Sequence, residues 1–252
     1  MNDALATTEL FTGLAKLYDR YRPSYPPAAI DAILGDLPPS PDVVDIGAGT
    51  GISSRALAAG GAHVLAIEPN ADMRAVARTH GIDARDGRAE STGLLSKSAD
   101  AVVAFQAFHW FTNSAAVLEF ARVLRPRGRI ALVWNERDTR NDPFTSETRA
   151  IDRRFAPAAG RLAGADFFDD TLASLLRDGG YGRVRQLHFT NAQRLDRDGL
   201  IGRTLSASYA PREESAMREL TVALDDLHER YADRSGHVTL VYRTDVIIAT
   251  PS

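Results

Sequence analysis

Val43-Val44-Asp45-Ile46-Gly47-Ala48-Gly49-Thr50-Gly51 is the stretch on which the rest of this chain depends. The apolar run up to Ile46 contains two β-branched valines and predicts a short buried strand over 43–46. Gly47, Gly49 and Gly51 then arrive at every second position, and without Cβ atoms their backbone can approach a ligand closely. Ser53–Ala59 predicts a helix that Gly60-Gly61 ends. Strand, glycine turn and helix in this order form the first half of a nucleotide-binding βαβ unit. His63–Ile67 predicts the next strand. It finishes at Glu68, about 20 residues beyond the turn, where a ribose-binding acid belongs.

The glycine spacing separates two kinds of ligand. A dinucleotide fingerprint reads G-x-G-x-x-G. Here the pattern is G-x-G-x-G, and Ile52 stands where the third fingerprint glycine would be. Asp45, at the strand end, would face a pyrophosphate at an electrostatic cost, whereas a ligand carrying a cation would gain from it. V-D-I-G-A-G-T-G resembles motif I of the class I S-adenosylmethionine (SAM) methyltransferases. SAM has an ammonium, a sulfonium and a ribose diol, and no phosphate.

Composition sets outer bounds. The chain has 252 residues, 44% of them apolar, enough for a sizeable core. It has no cysteine, hence no disulfide framework and no thiolate metal site. No apolar run reaches the roughly 18 residues of a membrane helix, and Met1–Leu10 lacks the pattern of a signal peptide. A cytoplasmic protein, a monomer or homodimer, is expected. The formal net charge of -3, without a basic tail or stripe, argues against nucleic acid as a partner. Lysine occurs only at Lys16 and Lys97. The arginine excess fits either anion recognition or GC-rich coding in a bacterium.

Taken in order, Thr8–Tyr21 has helical spacing, and Arg22-Pro23-Ser24-Tyr25-Pro26-Pro27 breaks it. Ala28–Leu37 predicts a second helix, so residues 1–40 form a helical lead that either covers the ligand or packs on the sheet. Further strands are expected over Ile82–Arg85, Asp100–Phe105, Ile130–Trp134, Arg183–Thr190 and Val238–Ala249. Helices are expected over Pro69–Thr79, Asn113–Leu124, Asp169–Arg177, Leu200–Ser208 and Glu213–Ala232. Residues 136–168 lack strong periodicity and read as an insertion, over the acceptor site or as surface decoration. The expectation is one α/β domain over 1–252: a Rossmann-like seven-stranded sheet, mostly parallel with one antiparallel strand, and helices on both faces.

The chain resembles class I SAM-dependent methyltransferases over nearly its full length. Y-R-P-S-Y-P and Q-A-F-H-W-F make it similar to a small-molecule subgroup that includes trans-aconitate methyltransferase-like proteins. The resemblance implies SAM as cofactor and a small-molecule acceptor, with carboxylate or hydroxyl foremost. It implies that the backbone of Gly47, Ala48, Gly49, Thr50 and Gly51 accommodates the methionine moiety and ribose, that Asp45 orients that end, and that Glu68, followed by Pro69, accepts from the ribose hydroxyls. Met73 and the segment Gly87, Arg88, Ala89 would border adenine. Tyr18 and Arg22 would close over the methionine end, with Arg22 near its carboxylate. Gln106, His109 and Trp110 follow the fourth strand, at the sheet edge that bears ligands. His109 is a candidate base or a packed ring beside Trp110. Tyr25, His109 and Trp110 would face the acceptor. No cluster with metal-ligand spacing is evident, and no metal is expected. A non-enzymatic SAM-binding regulator is the alternative. The N-P-P-Y-like tetrad of amide and nucleic-acid N-methylation is absent, since Gln106-Ala107-Phe108-His109 stands in its place.

Overall fold

The computed structural model describes residues 12–156 and 169–252. Thr8–Phe11 of the expected first helix and residues 157–168 of the expected insertion lie outside them. Seven strands form one sheet in the order β3-β2-β1-β4-β5-β7-β6. Their ranges are β1 Asp42–Ile46, β2 His63–Ile67, β3 Asp83–Arg85, β4 Ala99–Phe105, β5 Leu124–Arg137, β6 Arg183–Leu195 and β7 Val238–Thr250. β1 pairs in parallel with β2 and β4, and β4 with β5. β7 is antiparallel to both its neighbours, β5 and β6. It is the single reversed strand that the sequence pattern led us to expect. Among the described residues no helix is long and apolar enough to cross a membrane.

Central strands read as continuous apolar runs because both faces of the sheet are covered. Alternate residues feed two cores. Val44, Ile46, Val102, Leu132 and Trp134 pack with Val117 and Phe120 of α5 (Ser114–Val123) and Leu172 and Leu176 of α7 (Asp170–Asp178). Val43, Val103, Ala131 and Val133 pack with Ile30 and Ile33 of α2 (Pro27–Leu34) and Leu57 of α3 (Ile52–Ala59). Helix α4 (Ala71–Thr79) adds Ala77 against Ala66 and Ala84. A third core joins α6 (Pro143–Phe155), α8 (Arg197–Leu205) and α9 (Glu214–Tyr231) through Phe144, Leu200, Leu220 and Leu224.

The insertion is therefore more regular than its sequence suggests. Asp142 caps α6 by accepting from Thr145 N–H at 2.7 Å, and Pro143 starts it. Asp196 caps α8 in the same way, from Gly199 N–H at 2.7 Å, so that helix begins three residues before the expected Leu200. Both β5 and β6 run longer than their apolar segments, because long antiparallel pairing with β7 carries polar residues into the ladder.

Helix α1 (Ala15–Tyr21) lies between the two halves of the molecule. Asp19 pairs with Arg55 of α3 at 2.8 Å and with His80 at 2.7 Å. On the other side Gln193 donates to the Tyr21 carbonyl at 2.7 Å. The Tyr21 ring fills the space a Cβ at Gly202 of α8 would need. Gly202→Ala is expected to cost about 1–3 kcal/mol by overpacking, read by urea unfolding. Faster amide exchange confined to 15–21 should accompany it.

Candidate active site

The glycine turn is built by left-handed backbone. Gly47, Gly49 and Gly51 have φ of 68°, 57° and 80°, a region that side-chain-bearing residues rarely enter. At Gly47 space also decides, since a Cβ there would come within 2.8 Å of Ala107 Cβ. The turn hangs from β2 through Gly47 N–H, which donates to the Ile67 carbonyl at 2.8 Å. Beneath it lies Asp45, fully buried. One carboxylate oxygen accepts from Ser53 Oγ at 2.6 Å and Ser54 Oγ at 2.7 Å, tying the end of β1 to the first turn of α3. Burial raises its pKa to about 6, against the lowering effect of the two hydroxyls and with a further push from the charge of Glu68.

Glu68 is fixed by two backbone donors. Gly49 N–H reaches one carboxylate oxygen at 2.9 Å and Asn70 N–H the other at 2.8 Å. Each oxygen keeps a lone pair for a further donor. Burial raises its pKa and the two amides oppose this. Asn70 in turn caps α4 by accepting from Met73 N–H at 3.0 Å.

These elements border a cleft of about 1250 Å³, open mouth included, at the carboxyl ends of β1, β2, β4 and β5. Its floor is Ile46, Gly47, Ala48 and Gly49. On the β2–β3 side stand Ile67, Glu68, Pro69, Asn70, Met73 and the Gly87–Glu90 segment. On the other side stand Gln106, Trp110, Phe111, Asn135 and Arg203, with Tyr18, Arg22 and Tyr25 from the N-terminal segment. Gln106 has φ of 53°, unusual for a residue with a Cβ. Its amide donates to the Asn135 carbonyl at 2.9 Å, holding the end of β4 to β5.

Most of the residues expected at the site thus share one cavity: Tyr18, Arg22, Tyr25, Gly47, Ala48, Gly49, Glu68, Pro69, Met73, Gly87, Arg88, Ala89, Gln106 and Trp110. Four do not line it. Asp45 faces Ser53 and Ser54 inside the turn. Thr50 is fully buried, and its carbonyl accepts from Arg55 at 2.9 Å. Gly51 caps α3 and lies against Ala77 and Ile82. His109 sits in the 3₁₀ turn Phe108–Trp110, half-buried, with Nδ1 accepting from Trp134 Nε1 at 3.4 Å and its ring centroid 4.7 Å from that of Trp110. That turn presents Trp110 to the cleft and carries His109 past it. Of the insertion expected either over the acceptor site or as surface decoration, the described residues 136–156 do not line the cleft. Asn135 and Arg203 were missed. An arginine amid Leu200, Ile201 and Leu205 was the one available signal.

The residue types fit an adenosine with a cationic tail. A fixed carboxylate suits a diol, and Ile67, Met73 and Ala89 offer apolar walls. Residues 44–132 match a family described as a methyltransferase domain. That stretch is similar to the family, and the fold of the chain is similar to that of solved methyltransferases. It is 46% identical over 125 residues to an uncharacterized methyltransferase of Mycobacterium tuberculosis, covering 49% of this chain and 51% of the relative. The match thus spans about half the length of that relative. An uncharacterized methyltransferase-like protein of Schizosaccharomyces pombe is 29% identical over 239 residues and 90% of each chain. Among solved structures, phosphoethanolamine N-methyltransferase 2 of Haemonchus contortus, in complex with phosphomonomethylethanolamine and S-adenosylhomocysteine, superposes with a TM-score of 0.55. It is 14% identical, over 94% of this chain and 56% of that one, a likeness of fold.

Asp45 gives the fold a distinctive pH dependence. Folded, it takes up a proton near pH 6; unfolded, only near the ordinary 3.8. Between these values the folded chain binds more protons, so stability falls as pH rises. The contribution is on the order of 3 kcal/mol, and Glu68, also raised, acts in the same direction. Glu136, which burial raises to about 7, adds to the same trend, so urea unfolding should show the wild type gaining stability from pH 7.5 to pH 4.5, with Asp45→Asn losing part of that gain.

Proposed function

We propose that this protein transfers the methyl group of SAM to a small-molecule acceptor, a carboxylate or a hydroxyl. The carrying observation is the placement of Glu68. A buried carboxylate, locked by Gly49 and Asn70 N–H groups, stands on the cleft wall beside the glycine turn. In this reading Glu68 accepts from both ribose hydroxyls, and Gly47, Ala48 and Gly49 pass beneath the methionine moiety. Pro69 and Met73 border adenine from one side, and Gly87, Arg88 and Ala89 from the other. Asp45 acts through the turn that it holds. SAM supplies an activated methyl group, so the chain's task is to position the acceptor and exclude water. Trp110, Phe111, Phe105 and Tyr25 form the apolar acceptor end, where Tyr25 meets Phe105 edge-on with centroids 4.6 Å apart. Helix α1, with Tyr18 on the cleft and Arg22 just past its end, serves as the cover.

Each hydrogen bond to a charged group is worth roughly 1.5–3 kcal/mol. Glu68→Ala should therefore weaken S-adenosylhomocysteine binding at least about tenfold in isothermal titration; unchanged affinity would assign the ribose to another residue. Activity is tested with labelled SAM and a metabolite extract, the labelled product being identified by mass spectrometry. No product from any acceptor would leave a SAM-binding protein without transfer.

His109 is assigned packing in this reading, since Trp134 engages its Nδ1 and the cleft wall is Trp110. With the acceptor in hand, His109→Gln should lower kcat by less than roughly tenfold, against the 10²–10⁴ expected for loss of a general base. A drop of the larger size would restore it as the base.

A further inference from the structure

Strand β5 carries Asn135 to the cleft at one end, and near its other end it borders a second hollow. This hollow has about 650 Å³, open mouth included. It is walled by Arg129 of β5, Arg183 and Arg185 of β6, Ile248 and Thr250 of β7, and Asp36 just past α2. Strand pairing brings these residues together. Ala131 lies opposite Ile248, Ile248 opposite Arg185, and Thr250 opposite Arg183. Alternate residues of a strand share a face. Ala131, Ile248, Leu187 and Phe189 belong to the core under α2, so Arg129, Arg183 and Arg185 stand on that same face. With strands about 4.8 Å apart and a rise of about 3.3 Å per residue, the three arginine backbones lie within roughly 12 Å of one another.

Their charges are not matched by acids. Arg129 is 6% exposed. Its Nη1 donates to the Ile33 carbonyl at 3.3 Å, and its Nε is buried without an acceptor among the described residues. Burial lowers its pKa, Asp36 opposes the effect and Arg185 adds to it. Among the described residues none of the three arginines has an ion pair, whereas Arg55 and Arg125 meet acids at 2.8 and 2.7 Å. The single carboxylate of Asp36 leaves two positive charges over.

The donors come from three backbone positions, and this selects among anions. A carboxylate has two oxygens in one plane, which a single guanidinium can hold. A phosphoryl group has three acceptor oxygens and a charge of about -1.5 to -2 at neutral pH. It matches both the number of cations and the charge left over.

We propose that this hollow is a second ligand site, remote from the cleft, for a phosphoryl group carried by a small molecule or free as phosphate. Arg129 is its buried floor, and Arg183 and Arg185 are its exposed arms. The site is independent of the methyl-transfer reading.

The test is isothermal titration of the full chain, at constant ionic strength, with inorganic phosphate, glycerol 3-phosphate, succinate and glycerol. At least one phosphate should bind with a Kd on the order of 0.1–1 mM, succinate about fivefold or more weakly, and glycerol not at all. Either order of the two phosphates supports the site, and the tighter one names its source. Arg183→Gln and Arg185→Gln alter exposed side chains without ion pairs, so each should weaken binding about fivefold or more. Without phosphate their melting temperatures should stay within about 2 °C of the wild type. Asp36 has a φ of 61°, which asparagine tolerates, and Asp36→Asn should tighten binding about twofold or more by removing a charge that repels the anion. The proposal is overturned if neither phosphate binds, if succinate or glycerol binds as well, or if Arg183→Gln and Arg185→Gln leave the affinity unchanged. Weaker binding by Asp36→Asn overturns it too. So does loss of phosphate binding in Arg203→Gln with Arg183→Gln and Arg185→Gln unaffected, which would put the anion in the cleft.

Discussion

Everything at this site hangs from the carboxylate of Asp45. It closes the end of β1 on the hydroxyls of Ser53 and Ser54 and so sets where α3 begins. Between these fixed points the chain turns through three left-handed glycines. Once the turn is set, Gly49 N–H points at Glu68, and the ends of β1 and β2 become one wall. Two acids in the same motif thus do different work. One is sealed inside the turn as a strut, and the other stands on the cleft wall. The buried strut raises the free energy of its own charged form, which is the source of its displaced titration.

The two sides of the cleft are assembled by different means. The side near β2 is made by short βα connections, where a strand ends and a helix begins within a few residues, and its geometry is local. The opposite side is made by segments far apart in sequence: Arg22 after α1, Gln106 and Trp110 after β4, Asn135 in β5 and Arg203 in α8. Side chains there are aligned by bonds that span the chain, such as Asn135 to the Ser24 carbonyl at 3.1 Å and Gln193 to the Tyr21 carbonyl at 2.7 Å. A wall built locally and a wall built from distant segments can vary separately, the second without disturbing the first.

That division also explains what could be read from sequence. The β1–turn–α3 unit, Glu68, the strand succession and the reversed strand were legible because each depends on periodicity or on residues within one βαβ unit. Helix α6 was not, since its cap at Asp142 precedes a polar, weakly periodic segment whose apolar partners Leu220 and Leu224 lie on α9. The bonds from Ser53 and Ser54 to Asp45 were not legible either, because they depend on how the first turn of α3 folds back onto β1. For His109, base and packed ring beside Trp110 were both open from sequence; the 3₁₀ turn puts Trp110 on the cleft wall and leaves His109 off it. Arg203 was hidden because its place on the cleft wall depends on how α8 packs against β7, a property of tertiary packing.

The strand order has one more consequence, for how copies of this molecule meet. An open sheet has two borders, each a row of backbone donors and acceptors able to recruit a strand from another chain. Here they are β3 and β6. β3 is only three residues long, too brief to template much pairing. β6 is thirteen residues long and would be the hazard. Exposed Arg183 and Arg185 near one end and Arg194 near the other put charge along this edge, and charged side chains disfavour strand addition there. One border is protected by brevity and the other by charge.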